Sequence, residues 1–269
     1  MPGSTRRSRP LVVAHRGAST EAPEHTRAAY DAAVAAGADA VEVDVRLSRD
    51  GVLVCVHDAD LERVAGRRGR VDELTLDELR GLDIGSWFNR ARPDRARDVY
   101  ARERIVTLEE ELAHVDEADV GIVVELKEPD LTGGRMEAAL VELLGRRDLL
   151  AAPRGRLVVE TFDRGALVRL HRRAPEIALG LLWFDEADAG LADTPPDWLE
   201  VSGPNLYALF ASDGHVERMH ASGRTVYVWT ADDEEEVAAL VELGVDAIVT
   251  NRPRAVVTQM TRQGFGGLE

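Results

Sequence analysis

Short apolar runs recurring between helical stretches constrain this chain most. Eight of them read as strands: Leu11–His15, Ala40–Leu47, Gly121–Lys127, Leu157–Phe162, Ile177–Trp183, Trp198–Gly203, Thr225–Thr230 and Asp246–Asn251. Most are separated by sequence of helical character, such as Thr26 to Gly37, where Thr26 suits the N-cap and Gly37 the C-terminal stop. Eight strands with intervening helices in about 250 residues predict an α/β protein of the (β/α)8 or TIM-barrel type. Polar residues at the C-terminal ends of the strands are then the first candidates for chemistry, because barrel enzymes carry their sites on that face.

Composition agrees with this setting. The chain has 269 residues, 45% hydrophobic and 30% charged, enough for one large barrel domain over residues 1–269. Close repeats, low-complexity tracts and an interdomain linker are absent from the sequence. A net charge of -16 opposes nucleic acid and anionic membranes as partners. The basic runs "TRRSRP" and "AGRRGR" are short, lack interleaved aromatics, and read as solvated surface or mobile loop. Met1 to Arg9 precedes too few apolar residues for a signal-peptide core, and no later run approaches a membrane span. The expectation is a soluble, cytoplasmic protein without stable membrane insertion. Its single cysteine, Cys55, excludes an intrachain disulfide and a thiolate metal cluster, and reads as a buried small hydrophobe.

One segment departs from the alternation. "VEVDVRLSRDGVLVCVHD", residues 41–58, holds two alternating strands around Asp50-Gly51, a strong hairpin signal. With a two-residue loop, Arg49 pairs with Val52 and His57 falls opposite Asp44. That register puts Val43, Val45, Leu47, Val54 and Val56 on one face, and Glu42, Asp44, Arg46, Cys55 and His57 on the other. A hairpin with its polar face to water fits the same pattern, but the acidic pair at a barrel-strand end favours a site.

The constellation at the strand ends is His15 and Arg16 after the first strand, Glu42, Asp44 and His57 around the hairpin, and Glu125 and Lys127 on the third. Three carboxylates without a cysteine favour a hard cation over zinc. Two histidines can donate and accept protons near neutral pH. Arg16 and Lys127 offer the local positive charge that a phosphate needs in an acidic protein. A Schiff-base aldolase is hard to place, because Lys127 is the only lysine in the chain.

At these residues the sequence resembles the glycerophosphodiester phosphodiesterase family. The likeness runs through "AHRGAS", "APEHT", "GADAVEVDVRLSRDGVLVCVHD", "LTLDELRGLDIGSWF", "TLEE", "VELK", "VETFD", "LGLL", "VYVWT" and "LGVDAIVTNRP", in family order from about Leu11 to Arg254. The resemblance implies an irregular barrel, similar to that of phosphatidylinositol phospholipases C, with a small insertion after the His-Asp motif, here about residues 59–104. It implies His15 and His57 as the general acid/base pair, and Glu42, Asp44 and Glu125 as ligands of one divalent cation, Mg²⁺ or Ca²⁺, with Mn²⁺ a further candidate. Arg16 and Lys127 would hold the phosphate, Glu24 would line the site, and Phe162 and Trp229 would form an aromatic wall. The implied reaction is metal-dependent hydrolysis of small glycerophosphodiesters to glycerol 3-phosphate and an alcohol. A lysophospholipase D-type enzyme would share the site, and a catalytically silent phosphate-binding barrel would share the fold. The family commonly has Asn where this chain has His25. The insertion follows the hairpin that delivers His57 and is expected to overhang the site, and within it Thr75 and Glu78 have capping-box spacing, which predicts an ordered short helix.

Overall fold

The computed structural model describes residues 9–153, 155–185 and 195–264. Eight parallel strands form a closed ring: β1 Leu11–His15, β2 Ala40–Leu47, β4 Gly121–Leu126, β5 Leu157–Thr161, β6 Leu179–Trp183, β7 Val201–Pro204, β8 Thr225–Trp229 and β9 Ala247–Thr250. Closure comes from β1, which pairs with β2 through Val13↔Ala40 and with β9 through Leu11↔Ala247. A short ninth strand, β3 Leu53–Cys55, lies outside the ring and pairs antiparallel with β2. The expected (β/α)8 barrel is therefore observed. Two strands begin later than their apolar runs, because Ile177 and Leu199 are held in turns by hydrogen bonds to Ala174 and Pro196.

The period of two along each strand decides what enters the barrel. Leu11, Val13, Ala40, Val123, Val158, Val201, Tyr227, Ala247 and Val249 pack together as its apolar lower interior. The same phase carried upward reaches His15, Glu42 and Asp44, Glu125 and Lys127, and Glu160 and Phe162. The opposite phase, including Val41, Val43, Val45, Val124 and Val159, packs in the larger cluster with Tyr30 and Leu112 from helices α1 (Arg27–Ala35) and α5 (Leu108–Glu117). Thr26 caps α1 as expected, accepting from the Ala29 N–H, and Gly37 follows in the left-handed region.

The hairpin register differs from the expected one. Val45 pairs with Cys55 and Leu47 with Leu53, one residue out of step with a two-residue loop. The loop has three residues: the Gly51 N–H bonds to the Ser48 carbonyl and the Ser48 N–H to the Val52 carbonyl. Gly51 sits at φ +84, so the turn ends in the left-handed bulge that glycine accommodates. This moves Cys55 into the core beside Val45, while Val54 and Val56 pack under the insertion with Leu61, Val64 and Ile105. Val56, not His57, bonds to Asp44, its N–H reaching the Asp44 carbonyl at 2.9 Å. His57 lies two residues beyond β3.

Between β3 and α5 the chain forms short helices, including α2 (Glu62–Ala65), α3 (Leu76–Arg80) and α4 (Ser86–Ala91). Thr75 and Glu78 make the expected capping box on α3. Arg67 and Arg68 of the basic run are exposed, whereas most of "TRRSRP" lies outside the described residues. No described helix is long and apolar enough to cross a membrane.

Candidate active site

The chain turns sharply where β1 ends. Arg16 adopts φ +58 and Gly17 φ +82, and a Cβ on Gly17 would stand 2.7 Å from the Ala29 carbonyl carbon. Only glycine allows α1 to approach so closely. The turn directs the Arg16 N–H onto Glu42, 2.9 Å from Oε2, and brings Arg16 Nη1 to 3.2 Å from Glu24 Oε1.

A cleft of about 160 Å³ opens at the C-terminal mouth, lined by His15, Arg16, Glu42, His57, Glu125, Lys127, Phe162 and Trp229. Asp44 is fully buried and reached by three cationic or imidazole groups: Lys127 Nζ at 3.0 Å, Arg16 Nε at 3.1 Å and His25 Nε2 at 2.9 Å. Lys127 also meets Glu125 at 2.6 Å. Glu24 stands beside the cleft, tied to Arg16 and held by both terminal nitrogens of Arg63 at 2.9 and 2.7 Å. Every residue expected at the site thus gathers at one end of the barrel, although Asp44 and Glu24 do not line the cleft itself.

Glu42, Asp44 and Glu125 present oxygens within 4.8 Å of one another. Burial and the neighbouring carboxylates push Glu42 well above the usual range, and the same causes raise Glu125 to about 7. Asp44 goes the other way: burial opposes ionisation, but His25, Lys127 and Arg16 outweigh it and hold the carboxyl well below its ordinary range. Glu42 Oε1 is buried and accepts no hydrogen bond among the described residues. An all-oxygen set with an orphaned buried acceptor and two carboxyls biased toward protonation fits a hard divalent cation.

The two imidazoles differ. His15 is lowered to about 4, first by burial and then by the charge of Arg16, so it is neutral at pH 7. Its Nδ1 lies 2.8 Å from Asn251 Oδ1. His57 is lowered by burial, against the pull of Asp44 and of a hydrogen bond to Asp58, whose Oδ1 lies 2.7 Å from Nδ1. Glu24 is brought down to about 2 although burial opposes it, because Arg63 and Arg16 stabilise the anion.

The sequence pattern of the Glycerophosphoryl diester phosphodiesterase family matches residues 15–255. The chain belongs to this family. It is 40% identical over 249 residues to a Mycobacterium tuberculosis protein named "Probable glycerophosphodiester phosphodiesterase 1", covering 91% of this chain and 90% of that one. A Bacillus subtilis glycerophosphodiester phosphodiesterase is 32% identical, with 90% and 84% covered. Among solved structures, an Oleispira antarctica phosphodiesterase in complex with the product sn-glycerol-3-phosphate superposes with a TM-score of 0.80 at 29% identity, covering 94% and 97%. The resemblance drawn from the motifs is borne out, and with it the enzyme class, glycerophosphodiester phosphodiesterase.

The barrel of this phosphodiesterase also brings in residues that the motif reading passed over. Glu160 pairs in register with Glu125, lines the cleft, and is raised to about 8 by burial and by Glu125. Phe184 stacks on Phe162 at 4.7 Å and meets Trp229 edge-on at 5.0 Å. Both lie in the inward phase, two residues past Val158 and Leu182, so counting by twos would have found them. Asn251 follows Val249 by the same step. Arg63 and Asp58 carry no such signal, since they lie outside the barrel strands. At the family's asparagine position, His25 takes φ +55 and spans Asp44 and the Tyr30 hydroxyl, 3.0 Å from Nδ1.

Proposed function

We propose that residues 1–269 form one catalytic domain that hydrolyses small glycerophosphodiesters to glycerol 3-phosphate and an alcohol. The convergence of His15, His57, three carboxylates and two cationic side chains at one end of the barrel carries this reading. Glu42, Asp44 and Glu125 would hold the divalent cation, Mg²⁺, Ca²⁺ or Mn²⁺. When bound, the cation supplies positive charge where the phosphoryl oxygens gather negative charge in the transition state.

The chain's own residues do the rest. Arg16 and Lys127 attract the phosphodiester anion and orient it against the cleft floor. Neutral His15 accepts the proton of the attacking hydroxyl as the new P–O bond forms. His57, whose Nδ1 meets the Asp58 carboxylate, passes a proton to the alcohol as the old P–O bond breaks. The same pair serves attack by water or by the glycerol 2-hydroxyl followed by water; capture of a cyclic phosphate distinguishes the two. Phe162, Phe184 and Trp229 form the apolar wall against which the carbon skeleton packs.

A second reading, release of the head group from a lysophospholipid, draws on Phe184 and Phe162, which remain 58% and 37% exposed at the mouth. Turnover of glycerophosphocholine and of a lysophospholipid, each with chelator and with added Mg²⁺, Ca²⁺ or Mn²⁺, tests both. Cation-dependent release of glycerol 3-phosphate from the first substrate is expected. Preference for the second favours the lipid reading, and absence of turnover on either leaves a binding barrel.

A further inference from the structure

A chain of hydrogen bonds behind the cleft ends on His15. Asp232 Oδ1 accepts from the Asn251 N–H at 2.8 Å and from the Thr250 hydroxyl at 2.9 Å, and Oδ2 lies 2.7 Å from Asn251 Nδ2. A carboxylate receiving donors on both oxygens must meet a donor at the Asn251 side chain as well, so the amide turns its NH₂ to Asp232. Its oxygen consequently faces the other way, where it accepts from Ser19 Oγ at 3.0 Å and lies 2.8 Å from His15 Nδ1. A carbonyl oxygen has no hydrogen to give, so the hydrogen of that contact belongs to Nδ1. Neutral His15 then carries its lone pair on Nε2, the nitrogen that lies 3.9 Å from Glu42 Oε2.

We infer that Asp232 is a positioning residue: acting through Asn251, it fixes His15 in the Nδ1–H tautomer and thereby keeps Nε2 as the proton acceptor. The inference rests on the reading of His15 as an acid/base group. Asp232 lines a separate groove with Arg252 and Arg254, not the cleft, so its effect on the reaction runs through Asn251. The contrast with His57 is chemical. His57 leans directly on a carboxylate, which favours imidazolium, whereas His15 meets an uncharged amide oxygen, which orients the ring without adding negative charge beside it.

Asp232→Asn tests this with little change of shape. To keep accepting from the Asn251 N–H and the Thr250 hydroxyl, the introduced amide must turn its NH₂ toward the Asn251 side chain. The Asn251 amide must then rotate and offer NH₂ to His15 Nδ1, which drives the hydrogen to Nε2. The readout is the pair of imidazole ¹⁵N shifts of His15 near pH 7.5, identified by comparison with His15→Gln. The parent is expected to show protonated Nδ1 and unprotonated Nε2, and the variant the reverse, with kcat on glycerophosphocholine falling by about 10² or more while KM moves less than threefold. A parent with protonated Nε2 overturns the inference whatever the variant does, which keeps it falsifiable if Asp232→Asn fails to fold. A variant that retains protonated Nδ1 overturns it too. A reversed tautomer with kcat unchanged upholds the hydrogen-bond chain and overturns the proton-transfer role of His15.

Discussion

Arg63 ties the insertion to the candidate site, and its removal gives a prediction whose size and pH dependence follow from the structure. It rises from α2, grips both oxygens of Glu24, bonds Asp58 through Nε, and lies 5.3 Å from the centre of the Trp87 ring. Glu24 moves from 4.5 to about 2, which corresponds to ~3 kcal/mol favouring the anion in the folded state. Arg63 shares that stabilisation with Arg16, and its side chain is 39% exposed, so solvent screening reduces its part. Arg63→Met should therefore lower stability at pH 7 by about 1–2 kcal/mol, equivalent to roughly 3–6 °C in Tm for a chain of this size. A carboxyl lowered on folding contributes stability above its unfolded value of 4.5 and loses it as pH falls toward about 2. The gap between parent and variant should thus be full above pH 4.5 and close steadily below it. Asp58, released on one side, positions His57 less well, and kcat should fall about tenfold. Denaturant unfolding at pH 7 and pH 3 with a parallel activity assay decides the matter. An equal gap at both pH values, or none at pH 7, would refute the electrostatic account.

His15→Ala and His57→Ala should each lower kcat by about 10² or more with the far-ultraviolet spectrum unchanged; near-parental turnover in both removes the acid/base assignment. Chelation should lower Tm as well as activity, and Mg²⁺, Ca²⁺ or Mn²⁺ should restore both, because the proposed cation would relieve the repulsion among Glu42, Asp44 and Glu125. Gly17→Ala should cost about 2 kcal/mol or more, since Ala would need φ +82 and its Cβ would meet the Ala29 backbone at 2.7 Å; an unchanged urea midpoint would show that the turn can shift.

The barrel was legible because its signal is repeated. Each apolar run was recognisable by itself, and misplacing the start of β6 by two residues and of β7 by three left the strand count and the C-terminal mouth unchanged. The hairpin was a single event with no such redundancy. Asp50-Gly51 supports a two-residue or a three-residue loop equally well by composition, and the choice turns on Ser48, whose hydroxyl accepts from the Val52 N–H at 2.9 Å and donates to Asp50 at 2.6 Å. That local contact shifts the register by one and sends Cys55 to the opposite face.

The same physics separates the parts of the candidate site that motif reading found from those it missed. His15, Glu42, Asp44, Glu125 and Lys127 announce themselves because a charged or imidazole side chain at the end of an apolar strand demands a reason. Asn251 makes no such demand, since an amide after a strand reads as an ordinary turn residue. Its meaning emerges only when the ring closes and β9 is placed beside β1, which brings the end of the last strand against the end of the first. Closure pairs residues 236 positions apart, and the hydrogen bond between His15 and Asn251 is one result. A residue whose role is to orient another through an uncharged contact is defined by its neighbours. Sequence phase can nominate it, as two steps beyond Ala247 nominates Asn251, but only the closed barrel supplies the partner that gives the amide a direction.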